Sequence, residues 1–171
     1  MPHLLLLRHA KSDWSNPGLG DFDRPLNKRG RKAAPLMGRY LRAEGLMPDL
    51  VLCSAARRAQ ETWELVAAEL RTEVPVKTLR SLYLAPPSRL MATLLRVPDA
   101  PQRVLLIGHN PGMEHLAALL TGGGDPAARS RLLEKFPTAA LALLRLEGAA
   151  WDALAPGGAV LERFVRPRDL E

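Results

Sequence analysis

The sequence holds a single cysteine, Cys53, in 171 residues. No disulfide can form within the chain, which fits a reducing compartment and leaves Cys53 as a small buried hydrophobe. Aromatic residues make up only 5% of the chain, so aliphatic side chains must fill most of the core. No apolar stretch approaches the roughly 20 residues that span a bilayer. The N-terminal leucine run, Leu4 to Leu7, ends in charge and makes a poor signal peptide. A cytoplasmic protein without membrane contact is expected. Acidic residues are the scarcer charge, 18 against 24 basic ones, and arginine supplies 19 of the 24. Such a balance suits nucleic acid, an acidic surface or phosphate-bearing substrates. The basic residues are spread along the chain, however, and the one cluster, residues 28–32, has no interleaved aromatics. Nucleic acid is therefore not the expected partner. The length suits one domain over residues 1–171, and there is no repeat, low-complexity tract or linker.

What is present alternates between strand and helix. Residues 3–8, 49–53 and 103–108 are short apolar runs of the kind buried on both faces of a parallel sheet. Residues 28–44, 55–71, 88–96 and 111–120 read as helices, with Asn27 as an N-cap and Gly45 as a stop for the first of them. Residues 12–26 form a long loop, and loops of that length in a compact domain are usually functional. Residues 76–79 suggest a short strand. Residues 121–126, Thr-Gly-Gly-Gly-Asp-Pro, read as a turn; they lack the lysine and hydroxyl of a nucleotide loop. Residues 138–146 and 159–166 read as strands paired antiparallel at a sheet edge. The pattern predicts an α/β fold: a three-layer α/β/α sandwich with a mostly parallel central sheet and an antiparallel edge.

Each of the three buried strands ends on polar chemistry. The first delivers Arg8 and His9, the second Cys53 and Ser54 followed by Arg57 and Arg58, the third His109 and Asn110. Ligands of open α/β sheets bind beyond the carboxyl ends of the strands. If the three ends are neighbours, two histidines and at least two arginines surround one cavity. Guanidinium forks match phosphate oxygens, and a neutral histidine nitrogen can attack an electrophile. The set favours phosphoryl transfer. No carboxylate sits at these strand ends and the arginines would repel a cation, so neither a metal nor a cofactor is expected.

The motifs "LLLLRHAKS", "RPLNKRG", "CSAARRAQET" and "LLIGHNPG" stand in order between residues 4 and 112. Together they resemble the histidine phosphatase superfamily, the phosphoglycerate mutase-like group. The short chain, the "RHAKSDW" opening and the "GHNPG" segment look most like its SixA-type branch of phosphohistidine phosphatases. Ala10 stands where the family's opening motif has glycine. The resemblance implies that His9 is the nucleophile that becomes phosphorylated, that Arg8 binds phosphoryl oxygens, and that His109 donates a hydrogen bond to the transferring group. It also implies a second arginine, either Arg57 or Arg58. The family pattern selects Arg58; Arg58 shares a helix face with Thr62, whereas Arg57 can pair outward with Glu61. Lys11, Ser12, Arg24 and Asn110 are further candidates for contacts to phosphate or to the phosphorylated partner. For Arg24 the alternative is an ion pair with Asp21 or Asp23, and for Asn110 a helix cap.

Many phosphomonoester-cleaving members of the superfamily carry an acid between the second arginine and the second histidine. Here no Asp or Glu occurs from Val74 through Pro98, and Tyr83 lies nearest the expected place. An alkoxide leaves poorly without a proton. The imidazole of phosphohistidine can leave as a neutral ring, its pKa being about 6.5. The expected substrate is therefore a phosphohistidine-bearing protein, with a small phosphorylated molecule as the alternative. Asp13 is a candidate acid from another direction.

Overall fold

The computed structural model describes residues 1–171. Its seven strands are β1 (His3–Arg8), β2 (Leu50–Ser54), β3 (Val76–Leu79), β4 (Arg103–Gly108), β5 (Thr121–Gly124), β6 (Leu141–Leu146) and β7 (Ala159–Val165). They form one sheet in the order β3-β2-β4-β1-β6-β7-β5. The β1–β4, β2–β4, β2–β3 and β5–β7 pairs are parallel, and β1–β6 and β6–β7 antiparallel. The helices are α1 (Lys28–Ala43), α2 (Arg57–Leu70), α3 (Pro87–Leu95), α4 (Gly112–Leu120) and α5 (Pro126–Glu134). The chain is thus an α/β protein with a mostly parallel sheet and an antiparallel segment.

The four leucines of β1 explain the layering. All are fully buried, and their directions alternate, as strand geometry requires. Leu4 and Leu6 join a core with Leu90 and Leu94 of α3, Met113 and Leu116 of α4 and Leu132 of α5. Leu5 and Leu7 join the opposite core with Met37 and Leu41 of α1 and Ala59 and Val66 of α2. Each buried leucine contributes about 1.5–3 kcal/mol. The strand that carries Arg8 and His9 is thereby clamped from both faces.

Two expectations are corrected. Residues 121–124 are not a turn but the strand β5, paired parallel with β7. The glycines misled because they read as punctuation, yet here they permit close approach: a Cβ at Gly122 would fall 2.1 Å from the Gly157 carbonyl oxygen. Consequently β6 and β7 pair antiparallel as expected, but β5 and not β7 ends the sheet. The helix boundaries shift by one or two residues; α4 starts at Gly112, with Pro111 in its capping position.

Asn27 caps α1 as expected, its side chain accepting from the Gly30 amide at 2.9 Å. Gly30 also sits against the segment that follows His9: a Cβ there would lie 2.2 Å from the Lys11 carbonyl oxygen. Alanine normally favours a helix over glycine by about 1 kcal/mol. At this position the backbone clash should reverse the sign. Gly30→Ala is expected to destabilise by about 1–3 kcal/mol and to depress activity by displacing the His9 backbone; thermal unfolding and a turnover assay would read both.

Candidate active site

β1, β2 and β4 are neighbours, so their carboxyl ends lie side by side. Arg8 stands opposite Gly108 in the register. The His9 amide donates to the Gly108 carbonyl at 3.1 Å, and the Ala139 amide donates to the carbonyls of both Arg8 and His9. Thr62 Oγ1 accepts from the Ala10 amide at 2.9 Å and donates to the Arg58 carbonyl at 2.7 Å, coupling this strand end to α2. Backbone bonds from three directions therefore hold His9 in place.

The His9 ring is nearly buried and its tautomer is set. Its Nδ1 lies 2.7 Å from the Ala10 carbonyl oxygen. A carbonyl only accepts, so Nδ1 carries the proton and Nε2 the lone pair. Burial pushes the ring's pKa down to about 3, with the charges of Arg58 and Arg8 and the neighbouring His109 acting in the same direction. At neutral pH the imidazole is uncharged, and no protein group occupies Nε2.

The His109 ring lies 5.1 Å from that of His9, centroid to centroid. Its Nδ1 is 3.3 Å from Arg58 Nη2 and its Nε2 is 2.7 Å from Ser54 Oγ. A guanidinium only donates, so Nδ1 is the acceptor and Nε2–H donates to Ser54. Burial, reinforced by Arg58, pushes the His109 pKa to about 3. Both nitrogens are engaged within the protein. Donation to a phosphoryl oxygen thus requires His109 to take up a proton or turn from Ser54, which the sequence expectation did not include.

Arg58 is only 3% exposed. It donates to the Asp21 carbonyl at 2.7 Å and to Asp21 Oδ2 at 3.0 Å. Arg57 points outward and pairs with Glu61 at 3.1 Å, as its spacing suggested. Arg8 donates to the Phe136 carbonyl at 3.1 Å. The Nε–H groups of both Arg8 and Arg58 are buried donors without an acceptor in the protein. Two fixed positive charges with unspent donors, next to a free imidazole nitrogen, suit an anion with several oxygens.

Asp21 was not singled out from the sequence except as a possible partner of Arg24. Its Oδ1 accepts from Arg24 Nε at 3.1 Å and from Nη2 at 2.9 Å. Its Oδ2 accepts from Arg58 and from the Tyr83 hydroxyl. Burial alone would raise the Asp21 carboxyl, but the bonds from Tyr83, Arg24 and Arg58 outweigh it and bring the pKa to about 2. Tyr83 in turn packs edge-on against the His109 ring and against Phe22. The long loop thus contributes one ionised carboxylate that braces Arg58. The i, i+3 spacing of Asp21 and Arg24 was the available signal.

The remaining candidates separate. Arg24 is buried under the Trp14 ring and bonded to Asp21 and to Ser12 Oγ, so it organises the loop. Ser12 is likewise used inside the loop, where it bridges to Leu26. Asn110 donates to the Phe136 carbonyl and to Glu114, and its side chain makes no hydrogen bond to the His109 ring. Asp13 is half-buried, and its Oδ1 is used in a local turn bond from the Ser15 amide. The Lys11 side chain is exposed and lines a separate groove. Cys53 is buried with its thiol pushed up to about 12 by desolvation, which leaves it inert at neutral pH.

The model of the histidine phosphatase superfamily (branch 1) matches residues 4–83. An uncharacterized protein of Mycobacterium tuberculosis strain H37Rv is 40% identical over 164 residues, covering 95% of this chain and 100% of that protein. Among solved structures, a protein assigned as the phosphohistidine phosphatase SixA from Nakamurella multipartitia superposes with a TM-score of 0.84 at 29% identity, covering 97% of this chain and 96% of that one. A second protein so assigned, from Agrobacterium tumefaciens, gives 0.82 at 28% identity over 98% and 99% of the two chains.

Proposed function

The chain belongs to the histidine phosphatase superfamily (branch 1), and from that premise we propose that it is a metal-independent phosphatase that forms a phosphohistidine intermediate on His9 and acts on phosphohistidine in a protein partner. The observation that carries the reading is the neutral His9 ring, its Nδ1 proton held by Ala10, beside two guanidiniums with unspent donors. His9 Nε2 attacks phosphorus in line with the leaving group. Arg8 and Arg58 neutralise the equatorial oxygens as charge shifts onto them. The Ala10 carbonyl stabilises the ring as it becomes a cationic phosphoimidazole. Water then attacks the phosphorus, and His9 leaves as the neutral imidazole it was before.

The leaving group decides the substrate class. Asp21 is the carboxylate whose charge acts on His109, and it is ionised down to about pH 2 and has no proton to give. A phosphohistidine ring protonated from solvent on its other nitrogen leaves as neutral imidazole without an acid from the enzyme; an alkoxide must be protonated as it leaves. The two SixA-assigned neighbours support the same reading. The test compares a phosphohistidine peptide with a plain alkyl phosphate. The peptide is expected to turn over at least tenfold faster in kcat/KM. Faster turnover of the alkyl phosphate would overturn the substrate assignment. p-Nitrophenyl phosphate would not discriminate, since its phenolate also leaves easily.

A further inference from the structure

An open groove of about 440 Å³ lies beside the phosphate site rather than within it. Six cations line it, namely Lys11, Arg29, Lys32, Arg131, Lys135 and Arg168, and none of the six takes part in an ion pair. The acids on its wall are Glu134 and Glu171, and the one other lining cation, Arg166, is paired with Asp169. Arg131 Nε is buried without an acceptor.

Two features show that this charge is a surface in its own right. The first turns of α1 contain Lys28, Arg29, Arg31 and Lys32 and no acidic residue. Cations there oppose the helix macrodipole. Such a placement is unfavourable to the isolated fold and becomes favourable when an anion covers it. The groove is also continuous with the catalytic strand end. Lys11 follows His9 by two residues, about 7 Å of chain at most. On the opposite wall, Lys135 and Pro137 flank Phe136, whose carbonyl accepts from Arg8.

We infer that this groove docks an acidic segment of the phosphohistidine-bearing protein, laid alongside the phosphohistidine as the latter enters the His9 pocket. The inference rests on the proposed protein substrate for its biological setting, but its physical core is a preference for carboxylate-rich polypeptide next to the site. A groove whose cations come from the segment after β1, from α1, from α5 and its end, and from the C-terminal segment fits a run of side chains better than a single phosphate. Rim charges of this kind act on association and on KM and leave the chemical step alone.

The test uses the full chain and two probes. The first is a fluorescent deca-glutamate peptide, titrated by anisotropy at low and at 0.5 M salt. Wild type is expected to bind at low salt and release at high salt, and Arg29→Glu with Lys32→Glu to bind at least tenfold more weakly. Both positions are exposed, and acids at a helix start favour the macrodipole, so Tm is expected to hold or rise. Lys135→Glu, on a different element, should weaken binding in the same direction. The second probe is a pair of phosphohistidine peptides, one flanked by glutamates and one neutral. The acidic one is expected to show a KM at least fivefold lower in wild type, a gap that closes in the double variant with kcat unchanged. Equal peptide binding by wild type and variants would overturn the inference. So would equal KM values, or tighter variant-sensitive binding of a single-stranded RNA of equal charge. If neither phosphohistidine peptide turns over, the phosphatase reading fails while the binding titration still decides the groove.

Discussion

His9→Ala is expected to abolish both turnover and covalent labelling. Removing a nucleophile whose intermediate carries the whole reaction typically costs on the order of 10⁴-fold or more in kcat. The reading depends on one atom, His9 Nε2, which is left free because Nδ1 is spent on the Ala10 carbonyl. Incubation with a phosphodonor should place acid-labile, base-stable phosphate on wild type and none on the variant. The small cavity left by the imidazole lies outside both apolar cores, so the fold should survive. Inorganic phosphate should still bind, because Arg8 and Arg58 are untouched. A variant that keeps more than about one hundredth of wild-type activity would show that another group is attacked, and the phosphohistidine intermediate would have to be given up.

The strands, their order of appearance and the convergence of Arg8, His9, Arg58 and His109 could be read from the sequence because each rests on a local pattern. Leu4 to Leu7 is apolar on both faces, and a run of that kind belongs at the centre of a sheet. Arg58 is separated from Arg57 by the family resemblance, with helix spacing in agreement, and the outward Arg57–Glu61 pair follows that spacing. What escaped depends on distance in space. Asp21 meets Arg58 across 37 residues and Tyr83 across 62, so no window of sequence joins them. The β5 strand escaped for a different reason: its glycines carry no side-chain periodicity, and only the close approach of Gly157 and Leu161 defines its place. The basic groove escaped because its cations come from the segment after β1, from α1, from α5 and its end, and from the C-terminal segment, whereas only residues 28–32 form a cluster along the chain.

The contrast between neighbouring arginines gives the second large effect. Arg58→Ala is expected to lower kcat/KM by about 10³-fold, the scale seen when an arginine that stabilises a transferring phosphoryl group is removed. Arg57→Ala should cost less than threefold in rate and about 0.3–0.5 kcal/mol in stability, as an exposed i, i+4 pair does. Arg58→Lys should rescue only in part, since an ammonium cannot reach the Asp21 carbonyl, its carboxylate and a phosphoryl oxygen with one fork. A purely structural role for Arg58 would show as a loss of Tm without a change in pH behaviour, so the pH dependence separates the two. In wild type the folded pKa values of His9 and His109 are about 3, below the ordinary 6.5. The unfolded chain therefore binds more protons between those values, and stability should fall as pH drops from about 6.5 toward 3. Burial sets most of the His109 shift, Arg58 adds to it, and Asp21 opposes it. Without Arg58, Asp21 is opposed only by burial and by the more weakly acting Arg8, so the His109 pKa should climb toward its unfolded value. The acid loss of stability should then be shallower in Arg58→Ala than in wild type, and because Arg58 also holds down the pKa of the His9 nucleophile, the acid limb of kcat/KM should move to higher pH. Parallel stability–pH curves for the two proteins would mean that Arg58 does not govern the charge state of His109.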